Sequence, residues 1–136
     1  MSAGRPASAG DVHEESDEQT NEVLLRGRVS APPEQRELPS GDVVWTCRVV
    51  VRRPAPTTAE SATARAAGRR PVTVDALDCA AWSARARRSV GSWREGDLVE
   101  VSGRLRRRFY RAGGGPVSRV EVEVVRARLI RRPTGG

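Results

Sequence analysis

Residues 96–110 read Gly-Asp-Leu-Val-Glu-Val-Ser-Gly-Arg-Leu-Arg-Arg-Arg-Phe-Tyr, and this stretch decides the expected fold. Apolar and polar side chains alternate with a period of two, which predicts a β-strand with one face in a core. The side chains predicted to face the core are Val99, Val101, Gly103 and Leu105, and those predicted to face outward are Arg104, Arg106, Arg108 and Tyr110. Such a strand needs neighbours that bury the same face, and the rest of the chain offers them.

Four more segments have the composition and alternation of strands. With residues 98–110 they give five predicted strands, at residues 21–30, 43–53, 72–79, 98–110 and 117–130. Residues 80–90 are rich in Ala and Arg, which predicts one short helix. Residues 54–71 contain Ala, Thr, Pro and Arg without large apolar side chains, which predicts a long flexible loop.

Three strands, one helix and two strands is the order of an oligonucleotide-binding (OB) barrel. The sequence therefore predicts an all-β fold: a five-stranded OB-fold barrel with one short helix between strands 3 and 4. Gly27 and Gly103 lie inside strands, as sharply bent barrel strands require. A six-stranded or split-sheet α+β arrangement fits the same order. The predicted organisation is a disordered acidic tail at 1–20, the barrel domain at 21–130 and a short C-terminal tail at 131–136.

The charge of the chain is unevenly distributed. All 24 basic residues are Arg, the formal net charge is +7, and six acidic residues lie within 11–22. The absence of Lys excludes lysine-dependent chemistry, although a GC-rich coding bias explains that absence equally well. A basic domain with an acidic tail indicates a polyanionic partner. The sequence predicts no membrane partner, because no segment is apolar enough to span one, and no signal peptide, which predicts a cytoplasmic protein.

No arrangement of residues points to an enzyme or to a small-molecule substrate. His13 is the only histidine and lies in the tail, so no Ser–His or Cys–His pair is expected. Asp75 and Asp78 are two carboxylates without a predicted cleft. Cys47 and Cys79 lack metal-site spacing, so we expect buried, reduced thiols and no metal or cofactor.

The outward arginines of residues 104–110 suit a flexible single-stranded nucleic acid. Guanidinium groups track phosphates, and an aromatic ring stacks on unpaired bases. The alternative is an ordinary solvated strand face. The outward positions of the first two strands extend the same basic track with Arg26, Arg28, Arg48 and Arg52.

The three tryptophans have different expected roles. Trp45 has core-facing parity, which predicts packing, and Trp93 precedes a turn, which predicts a plug at the barrel end. Trp82 follows the third strand, and both packing and base stacking fit it.

With these residues identified, the chain resembles the bacterial single-stranded DNA-binding protein family, in a short form found in actinobacteria. The resemblance covers about residues 21–130. Its most specific part is residues 96–110, and the other matching segments are residues 21–29, 38–41, 77–82 and 121–124.

The resemblance implies base stacking at the ends of the third and fourth strands, which match Trp82 and Tyr110. Phe109 is kept as a candidate because the register could shift by one residue. Homo-oligomers, tetramers or dimers, are also implied. The sequence departs from the family in having Ala76 where another stacking ring is expected, and in ending without a long extension with an acidic tip. We therefore expect no recruitment of other enzymes through such a tip.

The expected function is sequence-tolerant binding and protection of single-stranded DNA in replication, repair or recombination. Two alternatives remain, an RNA-binding OB module and a protein-interaction adaptor with little nucleic-acid binding. The acidic residues of 11–22 are expected to compete with DNA for the basic face.

Overall fold

The computed structural model describes residues 17–134, without the side chains of Tyr110 and Ala112. Residues 1–16 of the predicted acidic tail, and 135–136 of the C-terminal tail, lie outside the described residues. The described residues form six strands and two helices. The strands are β1 (Val23–Val29), β2 (Glu34–Glu37), β3 (Val43–Arg52), β4 (Val74–Ala81), β5 (Leu98–Ala112) and β6 (Gly115–Arg131), and the helices are α1 (Thr58–Ala66) and α2 (Ala84–Gly91).

Five of these strands close into a ring, which confirms the predicted barrel. The order in the sheet is β1-β5-β6-β4-β3-β2, and β1 also pairs with β3. Closure depends on close backbone contact at two glycines. A Cβ at Gly27 would overlap the Val50 carbonyl, and one at Gly103 would overlap the Glu123 carbonyl, next to a register shift in β5.

The core is built mainly from β-branched side chains on the inner faces of the strands. Val49, Val99 and Val101 are fully buried, because alternation places every second residue inside the barrel. Helix α2 covers one end of this core with Ala86 and Val90, and its N-terminus is capped by Ser83, whose hydroxyl accepts from the Ala86 amide. The remaining buried members are Val29, Cys47, Cys79, Ala81, Trp93, Val122 and Val124.

The roles predicted for two tryptophans are confirmed. Trp93 is buried in the core, and Trp45 packs against its edge. The Trp45 ring lies beside Gly91, where a Cβ would come within 3.0 Å of ring atom Cε2. The two cysteines face each other directly across β3 and β4, and both are buried and free. Their mutual contact and burial raise the pKa of the Cys79 thiol.

Two elements were not predicted. Strand β2 is a short edge strand paired with β3, and α1 occupies the stretch predicted as a loop. Helix α1 forms because of a capping box. The Thr57 hydroxyl accepts from the Glu60 amide, and the Glu60 carboxylate accepts from the Thr57 amide. It buries no residue, so no apolar periodicity indicated it.

The predicted start of the second helix was wrong. Ala80 and Ala81 are good helix formers but lie in β4, where both are buried and pair with Thr46 and Trp45 of β3. Strand pairing and burial override the intrinsic preference of alanine here.

Candidate nucleic-acid interface

A groove of about 700 Å³ lies between two parts of the structure. One side is formed by the edge strand β2 and the residues before it, and the other by the distal part of the β5–β6 hairpin. Its floor is formed by outer-face residues of β3 and β4, including Val44 and Ala80, which are buried. We call residues 104–123, the distal part of the hairpin, the arm. The arm is paired from Arg104↔Glu123 to Ala112↔Gly115 without a register shift.

The groove is lined by both charged and aromatic side chains. Its arginines outnumber its carboxylates by five to three, which favours an anionic ligand. The arginines are Arg36, Arg48, Arg108, Arg111 and Arg119, the carboxylates are Glu34, Asp78 and Glu121, and the aromatic residues are Trp82 and Phe109.

Four of the ten predicted site residues therefore come together in one groove: Arg48, Trp82, Arg108 and Phe109. They come from β3, the end of β4 and β5, so only closure of the barrel makes them neighbours. Phe109 is 75% exposed, as expected of a ring available for stacking. The side chain of Tyr110 lies outside the described residues, and its backbone pairs with Val117.

Three arginines of β5 within the arm are paired with carboxylates of β6. Arg106 Nε lies 2.6 Å from Glu123 Oε1, and Arg104 Nε lies 3.9 Å from the same oxygen. Hydrogen bonding from Arg106 lowers the pKa of the Glu123 carboxyl. Strand β6 thus supplies carboxylate partners to Arg104, Arg106 and Arg108.

Within the groove, the Asp78 carboxylate lies between Arg48 of β3 and Arg119 of β6. Arg48 Nε is 3.0 Å from Asp78 Oδ1, and Arg119 Nη1 is 3.8 Å from Asp78 Oδ2. The side chain of Arg48 is 56% exposed and that of Asp78 32%. Water reaches both partners, so the pair contributes little to stability, and its arginines are accessible to another anion.

Trp82 is half-buried at the end of β4, with one face covered by an arginine. Arg108 Cζ lies 4.7 Å from the centre of the ring, a cation–π distance. Arg108 Nε also lies 2.9 Å from Glu121 Oε2. The indole Nε1 is buried, and no described residue forms a hydrogen bond with it.

The other predicted arginines lie elsewhere. Arg26 pairs with Glu100, which also pairs with Arg128, on the outer face of β1, β5 and β6. Arg28 donates to the Gly96 carbonyl. Arg52 lies at the end of β3, and Arg104 and Arg106 lie on the arm; none of these lines the groove. Leu105, predicted to face the core, is 47% exposed, because the arm extends beyond the barrel.

Sequence reasoning missed three arginines that line the groove: Arg36, Arg111 and Arg119. Arg36 was missed because β2 was read as loop. Arg119 lies directly opposite Arg108 in the hairpin, so counting back from the Gly113–Gly115 turn would have indicated it.

Comparison with protein-family models identifies the chain. The model of the single-strand binding protein family matches residues 20–130. This chain belongs to the single-strand binding protein family. The match confirms the resemblance found in the sequence, and the ring of five strands is consistent with the OB fold. Comparison with curated proteins finds no match.

Membership of the family implies binding of single-stranded DNA, and its members bind DNA without enzymatic activity. Within 17–134, no cluster of three or more His, Cys, Asp or Glu could hold a metal ion. No helix in that range is long and apolar enough to cross a membrane.

Proposed function

We propose that this protein binds single-stranded DNA through the groove and the arm, and protects it during replication, repair or recombination in the cytoplasm. The barrel domain, residues 21–130, carries this activity, and the family resemblance supports a homo-oligomer, a tetramer or a dimer. The observation that carries the proposal is the meeting of arginines and aromatic rings in one groove.

The electrostatics of the groove favour a phosphate backbone. Arg48 is held on the surface by a partly exposed carboxylate, so a phosphate can replace that carboxylate while both groups stay accessible to water. The carboxylate of Glu121, which pairs with Arg108, is more buried than that of Asp78 and keeps Arg108 in place. The protein therefore keeps its arginines extended and ordered before DNA arrives, which lowers the entropy cost of binding.

The aromatic residues favour a single strand over a duplex. A stacking surface needs an unpaired base, and a duplex hides its base faces in the stack. Phe109 is highly exposed, and Trp82 lines the same groove with the Arg108 guanidinium over its ring, so the groove offers two flat surfaces to unpaired bases. Each stacked base contributes roughly 1–3 kcal/mol.

The test removes three groove arginines and compares the result with removal of three others. Fluorescence polarisation measures binding to labelled oligo-dT and to a duplex of equal length across a salt titration. In the variant Arg48→Ala/Arg108→Ala/Arg119→Ala, we expect affinity for oligo-dT to fall about 100-fold. The slope of log K against log salt should become shallower by about 2.

The matched control is Arg26→Ala/Arg28→Ala/Arg128→Ala, which changes the net charge equally but leaves the groove intact. We expect it to lower affinity less than about threefold. Equal losses of affinity in both variants would mean that DNA binds along the wider set of predicted outward arginines and not mainly in the groove. A wild-type protein that binds neither polymer would favour the adaptor function, and preference for oligo-U would favour RNA.

A further inference from the structure

The groove contains a stacking surface made of two side chains rather than one. The guanidinium of Arg108 lies over the Trp82 ring, with Cζ 4.7 Å from its centre. A base cannot occupy that face of the indole while Arg108 is there. What the face offers to the groove is the guanidinium plane.

Arg108 is held in this position from two sides. Below it is the Trp82 ring, and at its edge Nε donates to Glu121 Oε2 at 2.9 Å. The Glu121 side chain is only 14% exposed, whereas 38% of the Arg108 side chain remains exposed. The carboxylate is thus largely shielded from water, whereas part of the Arg108 side chain stays open to the groove.

The Trp82 ring supports the Arg108 guanidinium from below. The ring is half-buried just after β4, and among the described residues its Nε1 is buried without a hydrogen-bond partner, so no hydrogen bond of Nε1 has to break for the ring to stay under Arg108. Swinging Arg108 away to free the ring would break both the cation–π contact and the ion pair with Glu121.

From this geometry we infer that a base stacks on the Arg108 guanidinium, forming a ladder of indole, guanidinium and base. The inference rests on the proposed function and gives it a base preference. A cation is attracted to an aromatic face in proportion to the electron density of that face. Guanine is the most electron-rich base and, as a purine, covers more of the guanidinium plane than thymine. The groove therefore prefers guanine to thymine at one position of the strand.

The preference for guanine is a difference in affinity and does not exclude other bases. The stacking plane makes no contact that requires a particular base edge, so every base binds and purines bind more tightly. Modest preferences of this origin are compatible with sequence-tolerant binding. The position is set by Arg108 alone, so a single guanine in a thymine strand is sufficient to produce the effect.

The test uses oligo-dT of about 12 nucleotides, a length within the range of one OB barrel. One central dT is replaced by dG or dA, which avoids the structures that G-rich strands form. Competition against labelled oligo-dT measures relative affinity. For the wild-type protein, we expect one dG to strengthen binding by about two- to fivefold, with dA in between.

The variant Arg108→Lys keeps the charge and the reach to Glu121 but has no plane. We expect it to lose the guanine preference, measured as the ratio of its own affinities for the dG and dT strands, whatever it does to overall affinity. The matched control is Arg106→Lys. Arg106 is likewise paired through Nε to a carboxylate of β6, at 2.6 Å, and among the described residues no ring lies beneath it. This control should keep the guanine preference whatever it does to overall affinity.

A second pair of variants tests the supporting ring. Trp82→Phe retains an aromatic face under the guanidinium and should keep the preference, whereas Trp82→Leu should lose it. Thermal unfolding of each variant confirms that the barrel is folded. Equal binding of dG and dT strands by the wild type, or a preference that survives Arg108→Lys, would overturn the inference without touching the proposed function. Failure of the wild type to bind oligo-dT at all would overturn the proposed function.

Discussion

The groove and the barrel end at Asp97 both contain arginine–carboxylate pairs, but they differ in access to water. The Asp97 side chain is completely buried, and it accepts from Arg132 Nε at 3.0 Å and Arg132 Nη2 at 3.1 Å. It also accepts from the Arg94 amide at 2.8 Å. In the groove, Arg48 and Asp78 are both accessible to water.

This difference separates two uses of the same chemistry. Asp97 closes the turn that leads into β5, where Gly96 has a φ of 90°, and ties it to Arg132 just after β6. It has no room for another anion. The Arg48–Asp78 pair is weak because both side chains are accessible to water, and that weakness lets a phosphate replace the carboxylate. A buried pair stabilises the fold, and an exposed pair is available for binding.

The largest expected effect is that of removing the buried charge. We expect Asp97→Asn to lower the free energy of unfolding by about 2–3 kcal/mol at pH 7, because it removes a fully buried carboxylate that pairs with Arg132 and accepts from the Arg94 amide in the turn. Urea denaturation measures this. Binding of the folded variant to oligo-dT should change by less than about twofold. If Asp97→Asn is as stable as the wild type, the Asp97 pair does not stabilise the fold more than the groove pair does.

The same variant has an expected pH dependence. Hydrogen bonding from Arg132 lowers the pKa of Asp97 in the folded state, so its stabilisation is present above the unfolded value of about 3.9 and is lost as the pH falls through the lower folded value. The difference between wild type and Asp97→Asn should therefore shrink on acidification from about pH 5 towards pH 2. Urea denaturation of both proteins across that range measures it.

In the groove, removing a carboxylate is expected to raise DNA affinity and to have a smaller effect on stability. Asp78→Asn removes the carboxylate that pairs with Arg48 and lies near Arg119. We expect its affinity for oligo-dT to rise about three- to tenfold at low salt, because a competitor of the phosphate is gone. Stability should change by less than about 1 kcal/mol. A fall in affinity would show that Asp78 positions the arginines and does not compete for them.

The smallest effect concerns the acidic N-terminal segment. Chain entry into the barrel is fixed beside the arm, since the Asn21 side chain makes two 2.9 Å hydrogen bonds with the backbone of Leu105. Deletion of residues 1–16 should raise affinity for oligo-dT about twofold at low salt and leave it unchanged at high salt, where long-range repulsion is screened. Fluorescence polarisation at both salt concentrations measures this. If the deletion variant and the wild type bind oligo-dT equally at low salt, residues 1–16 do not compete with DNA for the basic face.

The fold was predictable because its signals are local. The alternation of Val99, Val101 and Gly103 indicated a half-buried strand, and the structure places their side of β5 in the core. Helix α1 was missed because none of its residues is buried, so it left no periodic pattern. Its capping box, Thr57 and Glu60, was the signal present in the sequence.

The site was less predictable, because it depends on which strands are neighbours. Arg26 and Arg48 look alike in the sequence, since both occupy outward positions in alternating strands. In the structure Arg26 faces Glu100 on one side of the barrel, and Arg48 faces Asp78 in the groove. Nothing local distinguishes them.

The sequence alone determined that this chain forms a barrel of alternating strands, with an excess of arginine on its outer face. Period and composition are local properties, and they decide which face of each strand is buried. Only the tertiary structure decided which arginines share a groove, and that one of them, Arg108, lies on Trp82. Those contacts join residues that are distant in the chain, and the registers β3–β4 and β5–β6 bring them together when the barrel closes.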